Sequence, residues 1–169
     1  MAVIGAGVIG IEYATIFSAL DVPVTIVEPK DTILDFIDRE IIEEFTHDLR
    51  QRGVTLRLGT KVEKVEIDEQ GWAVSILADG RRIRTDMLLY AAGRSGATAN
   101  LGLENAGLTP VDRGRLKVDP VTFQTEVRNI YAAGDVIGWP SLASTSMEQG
   151  RIAALHACGA QMPPAPEFF

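Results

Sequence analysis

Apolar residues follow two rhythms along this chain. Residues 2–4 are a short unbroken apolar run and 24–27 one interrupted only by Thr25, the pattern of strands buried on both faces. Between them, Ile9, Ala14, Ile16, Phe17 and Leu20 suit a helix over residues 8–20 packed on a sheet, with Asp21 ending it. A second amphipathic helix is predicted over residues 38–52. Ile41, Ile42, Phe45 and Leu49 share its face, Asp38 is its N-cap and Gly53 its stop. Residues 54–58 read as a third, parallel strand. The period then shortens to two. Residues 61–67, 72–77 and 82–84 alternate apolar and polar positions, joined by a turn ending in Gly71 and by the hairpin dipeptide Asp79-Gly80. Residues 87–91 are again a buried apolar run. The pattern predicts an α/β fold: a Rossmann-like parallel sheet with helices on one face and a three-stranded antiparallel meander on the other.

The second half is less regular. A short helix is expected over residues 101–106, ending at Gly107. Short strands are expected at 116–118 and 130–133, the latter buried and ending in Gly134-Asp135, and a closing helix at 146–157. Residues 162–169 are proline-rich and read as a linker. No internal repeat or low-complexity tract interrupts the chain.

Composition narrows the function classes. A length of 169 residues fits one domain, or one plus part of another. The net charge of −7 argues against a nucleic-acid partner, since phosphate backbones demand clustered Lys and Arg. Arg81, Arg82 and Arg84 form the one dense basic run, which a solvated hairpin edge explains. One cysteine, Cys158, leaves no internal disulfide and no Cys-rich metal site. His47 and His156 fall on predicted helices without acids or cysteines clustered around them, so they read as surface or packing histidines. No signal peptide or membrane-spanning stretch stands out, and the expectation is a cytoplasmic protein without a membrane partner.

Candidate chemistry gathers at the first strand-to-helix turn, Gly5-Ala6-Gly7-Val8-Ile9-Gly10. A Gly-x-Gly-x-x-Gly alone says little. Here it follows a strand pattern and opens a helix, and an acid, Glu28, closes the next strand about 20 residues on. Gly5 permits the tight turn, Gly7 lets a pyrophosphate approach the backbone, and Gly10 lets the helix pack close. The helix start offers free N–H groups and the positive dipole end to phosphates. Glu28, followed by Pro29, would accept both hydroxyls of an adenosine ribose. The carboxylate favours NAD(H) over NADP(H), with Lys30 and Arg57 as candidate partners for a 2′-phosphate.

The glycine turn, Glu28, Ala91-Ala92-Gly93-Arg94 and Tyr131-Ala132-Ala133-Gly134-Asp135 together resemble the FAD-dependent pyridine nucleotide-disulfide oxidoreductases. That family includes lipoamide dehydrogenase, glutathione reductase and mercuric reductase. Gly93-Arg94-Ser95-Gly96 and the run 138–144, with Gln149-Gly150-Arg151, are similar to its soluble pyridine nucleotide transhydrogenase branch. The resemblance implies that residues 1–98 are an NAD(P)-binding domain. Residues 99–160 would be the returning segment of an incomplete FAD-binding domain, and residues 161–169 a linker toward an absent dimerisation domain. The parent enzyme would be a homodimer that moves hydride between NADPH and NAD+ through flavin, with FAD bound only by the full-length chain. A lipoamide dehydrogenase-like disulfide reductase and a free-standing NAD-binding sensor are the alternatives.

The resemblance also assigns residue roles. Glu12 would lie near the nicotinamide carboxamide, or be a surface acid favoured by the dipole of the first helical turn. Ala92 and Gly93 would let the nicotinamide end pass, or form a plain strand-end turn. Val65 would touch the adenine, or fill the meander core. Asp135 would bond the flavin ribityl chain with Gly134 allowing close approach, or form an Asx turn. Leu142 and Ala143 would present a helix N-terminus to the flavin.

Overall fold

A computed structural model describes residues 1–161; the predicted linker from residue 162 onward lies outside the described residues. The chain divides into two compact units, one ending at Gly93 and one beginning at Arg94.

In the first unit the apolar run Ala2–Ile4 forms β1, every residue buried. Helix α1 covers Val8–Ala19, β2 Thr25–Val27, α2 Arg39–Gln51 and β3 Thr55–Arg57. The alternating segments form β4 (Val62–Ile67), β5 (Ala73–Leu77) and β6 (Arg82–Thr85), and β7 follows at Leu88–Tyr90. Strands β3-β2-β1-β7 make a parallel sheet in that order, with Val3 opposite both Ile26 and Leu89. Strands β4-β5-β6 make a separate antiparallel sheet, with a register shift between Val62 and Lys64.

Period-two alternation sends the sheet's side chains to two different cores. Val3, Ile26, Leu56 and Leu89 pack with Ile11, Ala14, Ile42 and Leu49 of the helices. Ile4, Val27 and Leu88 pack with Val62, Leu77 and Ile83 of the meander. The architecture predicted from the pattern is therefore observed. Ser75 is fully buried on β5, and its hydroxyl has no partner.

Helix ends follow local chemistry. Asp38 caps α2 by accepting from the Glu40 N–H at 2.9 Å, and Gly53 turns the chain at φ +81°. The helix faces differ from expectation. On α1 the buried residues are Gly10, Ile11, Ala14 and Ser18, whereas Ile9, Ile16 and Leu20 are exposed. Small residues four apart let α1 lie close on the sheet, so they take the inner face despite the larger apolar residues outside. On α2, Ile42 and Leu49 are buried and Phe45 half-buried, but Ile41 is exposed. The run over 87–91 is also not buried throughout. Met87 and Tyr90 are exposed because β7 is an edge strand of its sheet.

The second unit contains little regular structure besides α3 at Ala143–Ala157, which begins three residues earlier than predicted. The expected helix over 101–106 is a 3-10 turn at Leu103–Ala106, closed by Gly107 at φ +73°. Residues 116–118 and 130–133 are not strands. The second of these holds only an isolated bridge, between Gln124 and Tyr131, and another joins Val111 to Arg115 just before the first. A ladder needs a neighbouring strand, and none of the described residues supplies one. Ala132 is buried, while Ile130, Tyr131 and Ala133 are half-buried. Phe123, Ile152 and Ala153 form the core of this unit.

Candidate functional site

The glycine turn has the geometry that its sequence implies. Gly5 sits at φ +101°, a region few residues but glycine adopt, and a Cβ there would lie 2.6 Å from the Ala91 carbonyl oxygen. A Cβ on Gly10 would strike the carbonyl oxygen of Gly5 and come within 3.5 Å of Ala91 Cβ. Turn, helix and β7 are thus packed to backbone contact at both positions. Gly7 is different. It is the exposed N-cap of α1, and a Cβ there would meet nothing within 4 Å. Space is left open over the one glycine of the three that packing does not require.

No side chain caps the start of α1, so its first N–H groups face outward, beside exposed Val8 and Ile9. Ala6 is buried, and its N–H donates to Glu28 Oε2 at 2.7 Å. Glu28 Oε1 accepts from the Lys30 N–H at 3.1 Å. The Glu28 N–H donates to the Arg57 carbonyl at 3.0 Å, which continues the ladder past the end of β2. The acid at the end of β2 is therefore held over the glycine turn, 22 residues away in sequence. A half-buried carboxylate, open helix N–H groups and a bare Gly7 meet at the C-terminal end of the parallel strands. Ligands of open α/β sheets bind at that end. These residues fit a dinucleotide: donors for a pyrophosphate, an acceptor for a ribose diol.

Other predicted residues stand around this centre in different ways. Glu12 is exposed and is the fifth residue of α1, beyond the first turn in which the dipole argument placed it. Ala92 and Gly93 follow β7 and are exposed, with Gly93 at φ +113°. Val65 is 44 % exposed on β4, so it is not a meander core residue; Val62, Leu77 and Ile83 fill that role. Pro29 is exposed and lines a cavity of about 440 Å³ with Leu58, Gly59, Thr60, Lys61, Ala78, Asp79 and Arg81. The sequence reading missed this wall. The parallel register of β2 with β3 was its available signal, because it carries residues 58–61 alongside 28–30.

Of the two cations named for a 2′-phosphate, only Lys30 has an ion-pair partner among the described residues. Lys30 Nζ is 2.5 Å from Asp35 Oδ2. That hydrogen bond, opposed by desolvation and aided by the charges of Asp35 and Glu28, holds the Lys30 amine above its ordinary range. Arg57 is exposed; it pairs in register with Val27 and so lies on the meander side of β3.

The second unit gathers its own predicted residues. Gly134 is buried at φ +81°, and its N–H donates to Gln149 Oε1 at 2.7 Å. A Cβ on Gly134 would come within 3.2 Å of Ser146 Oγ. Asp135 opens the 3-10 turn Gly134–Ile137, is exposed, and forms an ion pair with Arg94. Leu142, exposed, is the N-cap of α3 without a capping side chain, and exposed Ala143 is its first residue. The turn at 134–137 packs against α3, so Gly134, Asp135, Leu142 and Ala143 belong to one neighbourhood. His156 meets the Tyr131 hydroxyl at 2.8 Å through Nδ1, whereas exposed His47 lies beside Gln51. Among the described residues no cluster of His, Cys, Asp and Glu has the makings of a metal site, and no helix is long and apolar enough to cross a membrane.

Known proteins resemble this chain in sequence and in fold. The chain is 53% identical over 159 residues to a soluble pyridine nucleotide transhydrogenase of Mycobacterium bovis, covering 94% of this chain and 34% of that protein. It is 52% identical over 150 residues to one from Marinobacter nauticus, covering 89% and 32%. The chain thus spans about a third of the length of the curated relatives it matches. Among solved structures, LpdA from Mycobacterium tuberculosis superposes with a TM-score of 0.89 at 34% identity, over 98% of this chain and 36% of that one. The HOCl-induced flavoprotein disulfide reductase RclA from Escherichia coli gives 0.86 at 32%, over 97% and 37%. Residues 1–150 match the family described as Pyridine nucleotide-disulphide oxidoreductase, and the chain belongs to that family.

Proposed function

We propose that this chain is the NAD(P)-binding portion of a soluble, FAD-dependent pyridine nucleotide transhydrogenase. The observation that carries the reading is the vacant space over Gly7, framed by the open N-terminus of α1 and by Glu28 anchored on the Ala6 N–H. Identity above 50% to proteins named as transhydrogenases, against 32–34% to LpdA and RclA, favours this reading over a disulfide reductase.

The chain's own residues do the binding and orienting. The α1 N–H groups and helix dipole hold the pyrophosphate, Glu28 accepts from the adenosine ribose, and the exposed backbone at Ala92-Gly93 borders the nicotinamide end. The exposed carboxylate of Glu12 lies one turn into α1, on the nicotinamide side in this reading. In the second unit, Asp135 and the uncapped N-terminus of α3 are half of a flavin site, and the helix dipole there favours negative charge on the ring. When bound, FAD supplies the hydride relay between NADPH and NAD+. The isolated chain binds NAD(H), lacks bound flavin and does not catalyse transhydrogenation.

Calorimetric titration tests the assignment. Gly7→Val is expected to weaken NADH binding at least about tenfold, because branched carbons fill the space that the pyrophosphate needs. Equal affinity in parent and variant would refute the phosphate assignment. A purified chain carrying stoichiometric FAD would refute the assignment of the second unit as half a flavin site.

A further inference from the structure

The cavity beside Pro29 is lined by a cation that forms no ion pair among the described residues. Four basic side chains lie around this end of the sheet. Lys30 is bound to Asp35, and Arg81 to Asp79 at 2.5 Å. Arg57 is exposed on the meander side of β3 and is not among the residues that line the cavity. Lys61 does line it, is exposed, and forms no ion pair among the described residues. Among the lining residues Arg81 and Asp79 cancel and Lys61 is left over, with the Asp31 carboxylate beside Gly59 as the nearest further acid named.

The backbone fixes where that charge stands. The Thr60 N–H donates to the Glu28 carbonyl at 3.1 Å, and the Gly59 N–H to the Lys30 carbonyl at 2.9 Å. The Ala78 N–H donates to the Lys61 carbonyl at 2.9 Å. Lys61 is thereby held against the segment that carries Glu28 on one side and against the β5–β6 hairpin on the other. A phosphate on the ribose that Glu28 holds would meet a like charge at a few ångströms, which disfavours it. A ligand that adds such a phosphate needs an uncommitted cation close by.

We propose that Lys61 is the specificity-determining residue that receives the 2′-phosphate of NADP(H), allowing one seat to take both nucleotides despite Glu28. This rests on the reading of the glycine turn as a nucleotide seat. Lys61 contributes nothing to NADH, which carries no phosphate there. Its attraction is exposed to solvent and therefore declines with added salt.

The experiment is calorimetric titration of the parent chain, Lys61→Met and Lys61→Arg with NADH and NADPH at low and high ionic strength. Circular dichroism establishes that the variants are folded. Lys61→Met is expected to weaken NADPH binding five- to tenfold while leaving NADH within twofold, and Lys61→Arg to keep most of the NADPH affinity. The difference between parent and Lys61→Met should shrink in high salt. If Lys61→Met leaves the NADPH-to-NADH ratio unchanged while NADH still binds, this inference is overturned and the nucleotide seat stands. If the parent chain binds neither nucleotide, the seat is wrong and the role of Lys61 falls with it.

Discussion

Alanine substituted singly at the three glycines of the first turn should destabilise the first unit in the order Gly5, Gly10, Gly7. The order follows from what each new Cβ meets. At Gly7 it meets nothing within 4 Å, and the residue is an N-cap at φ −75°, so the cost is the ordinary loss of a glycine N-cap, under about 1 kcal/mol. At Gly10 two effects compete. Alanine is the better helix former by at most about 1 kcal/mol. Against that, its Cβ strikes the Gly5 carbonyl oxygen, backbone that has no rotamer to escape into. Overpacking of this kind costs about 1–3 kcal/mol or more, so the collision wins. Gly5 adds strain to collision: φ +101° costs an alanine about 1–3 kcal/mol, and the Ala91 oxygen lies 2.6 Å away. Trp72 belongs to the first unit and Trp139 to the second, so in a Trp139→Phe background tryptophan fluorescence reports the first unit alone. Each kcal/mol should lower its thermal midpoint by roughly 4–8 °C. A Gly10→Ala chain as stable as the parent, or a Gly7→Ala chain as unstable as Gly10→Ala, would refute the division between packing glycines and a ligand-facing one.

Three further outcomes are expected. Glu28→Ala should narrow the preference for NADH over NADPH from about 1–2 kcal/mol toward zero in titrations, through lost ribose bonds and relieved repulsion; an unchanged gap would dismiss Glu28 as the discriminator. Ser75→Ala should raise the stability of the first unit by about 1 kcal/mol in urea unfolding, because the buried hydroxyl has no partner to lose; destabilisation would show that the hydroxyl is satisfied. Hydrogen bonds from the Thr122 N–H, the Thr122 hydroxyl and the Val121 N–H hold the Asp119 carboxyl below its ordinary range. Its stabilising contribution is therefore complete above the unfolded value of about 3.9 and is lost as pH falls through the lower folded value. Asp119→Asn should flatten that acid limb for the second unit, read from Trp139 in a Trp72→Phe background, and an unaltered limb would place the acid sensitivity elsewhere.

What could be read from the residues was what their local chemistry decides. Glycine spacing, the Asp38 cap, the Asp79-Gly80 hairpin and the acid ending β2 each act within one turn or one strand, and each is found where the pattern placed it. Face selection was harder. Helix α1 carries apolar residues all round, so its period could not say which side turns inward. Close approach to the sheet decided that, through Gly10, Ala14 and Ser18, while Ile16 and Leu20 were left outside. Val65 failed for a related reason: alternation marks it as inward, but the register shift between Val62 and Lys64 changes how β4 meets β5.

The second unit shows what a strand pattern lacks when its ladder is non-local. Residues 130–133 have strand composition, yet their backbone is only partly engaged. The Ala132 N–H donates to the Phe123 carbonyl at 3.0 Å and the Gly134 N–H to Gln149, whereas the N–H groups of Tyr131 and Ala133 meet no acceptor among the described residues. One edge of this segment is thus satisfied and the other is open. Composition sets the preference for an extended backbone, but a sheet exists only where a second strand supplies the other half of each bond. The glycine turn needs no such help: β1, α1, β2 and β7, which position it, all lie within the first unit. The same difference explains why the segment from Gly5 to Glu28 folds as its pattern predicts, while residues 130–133 do not form the expected strand.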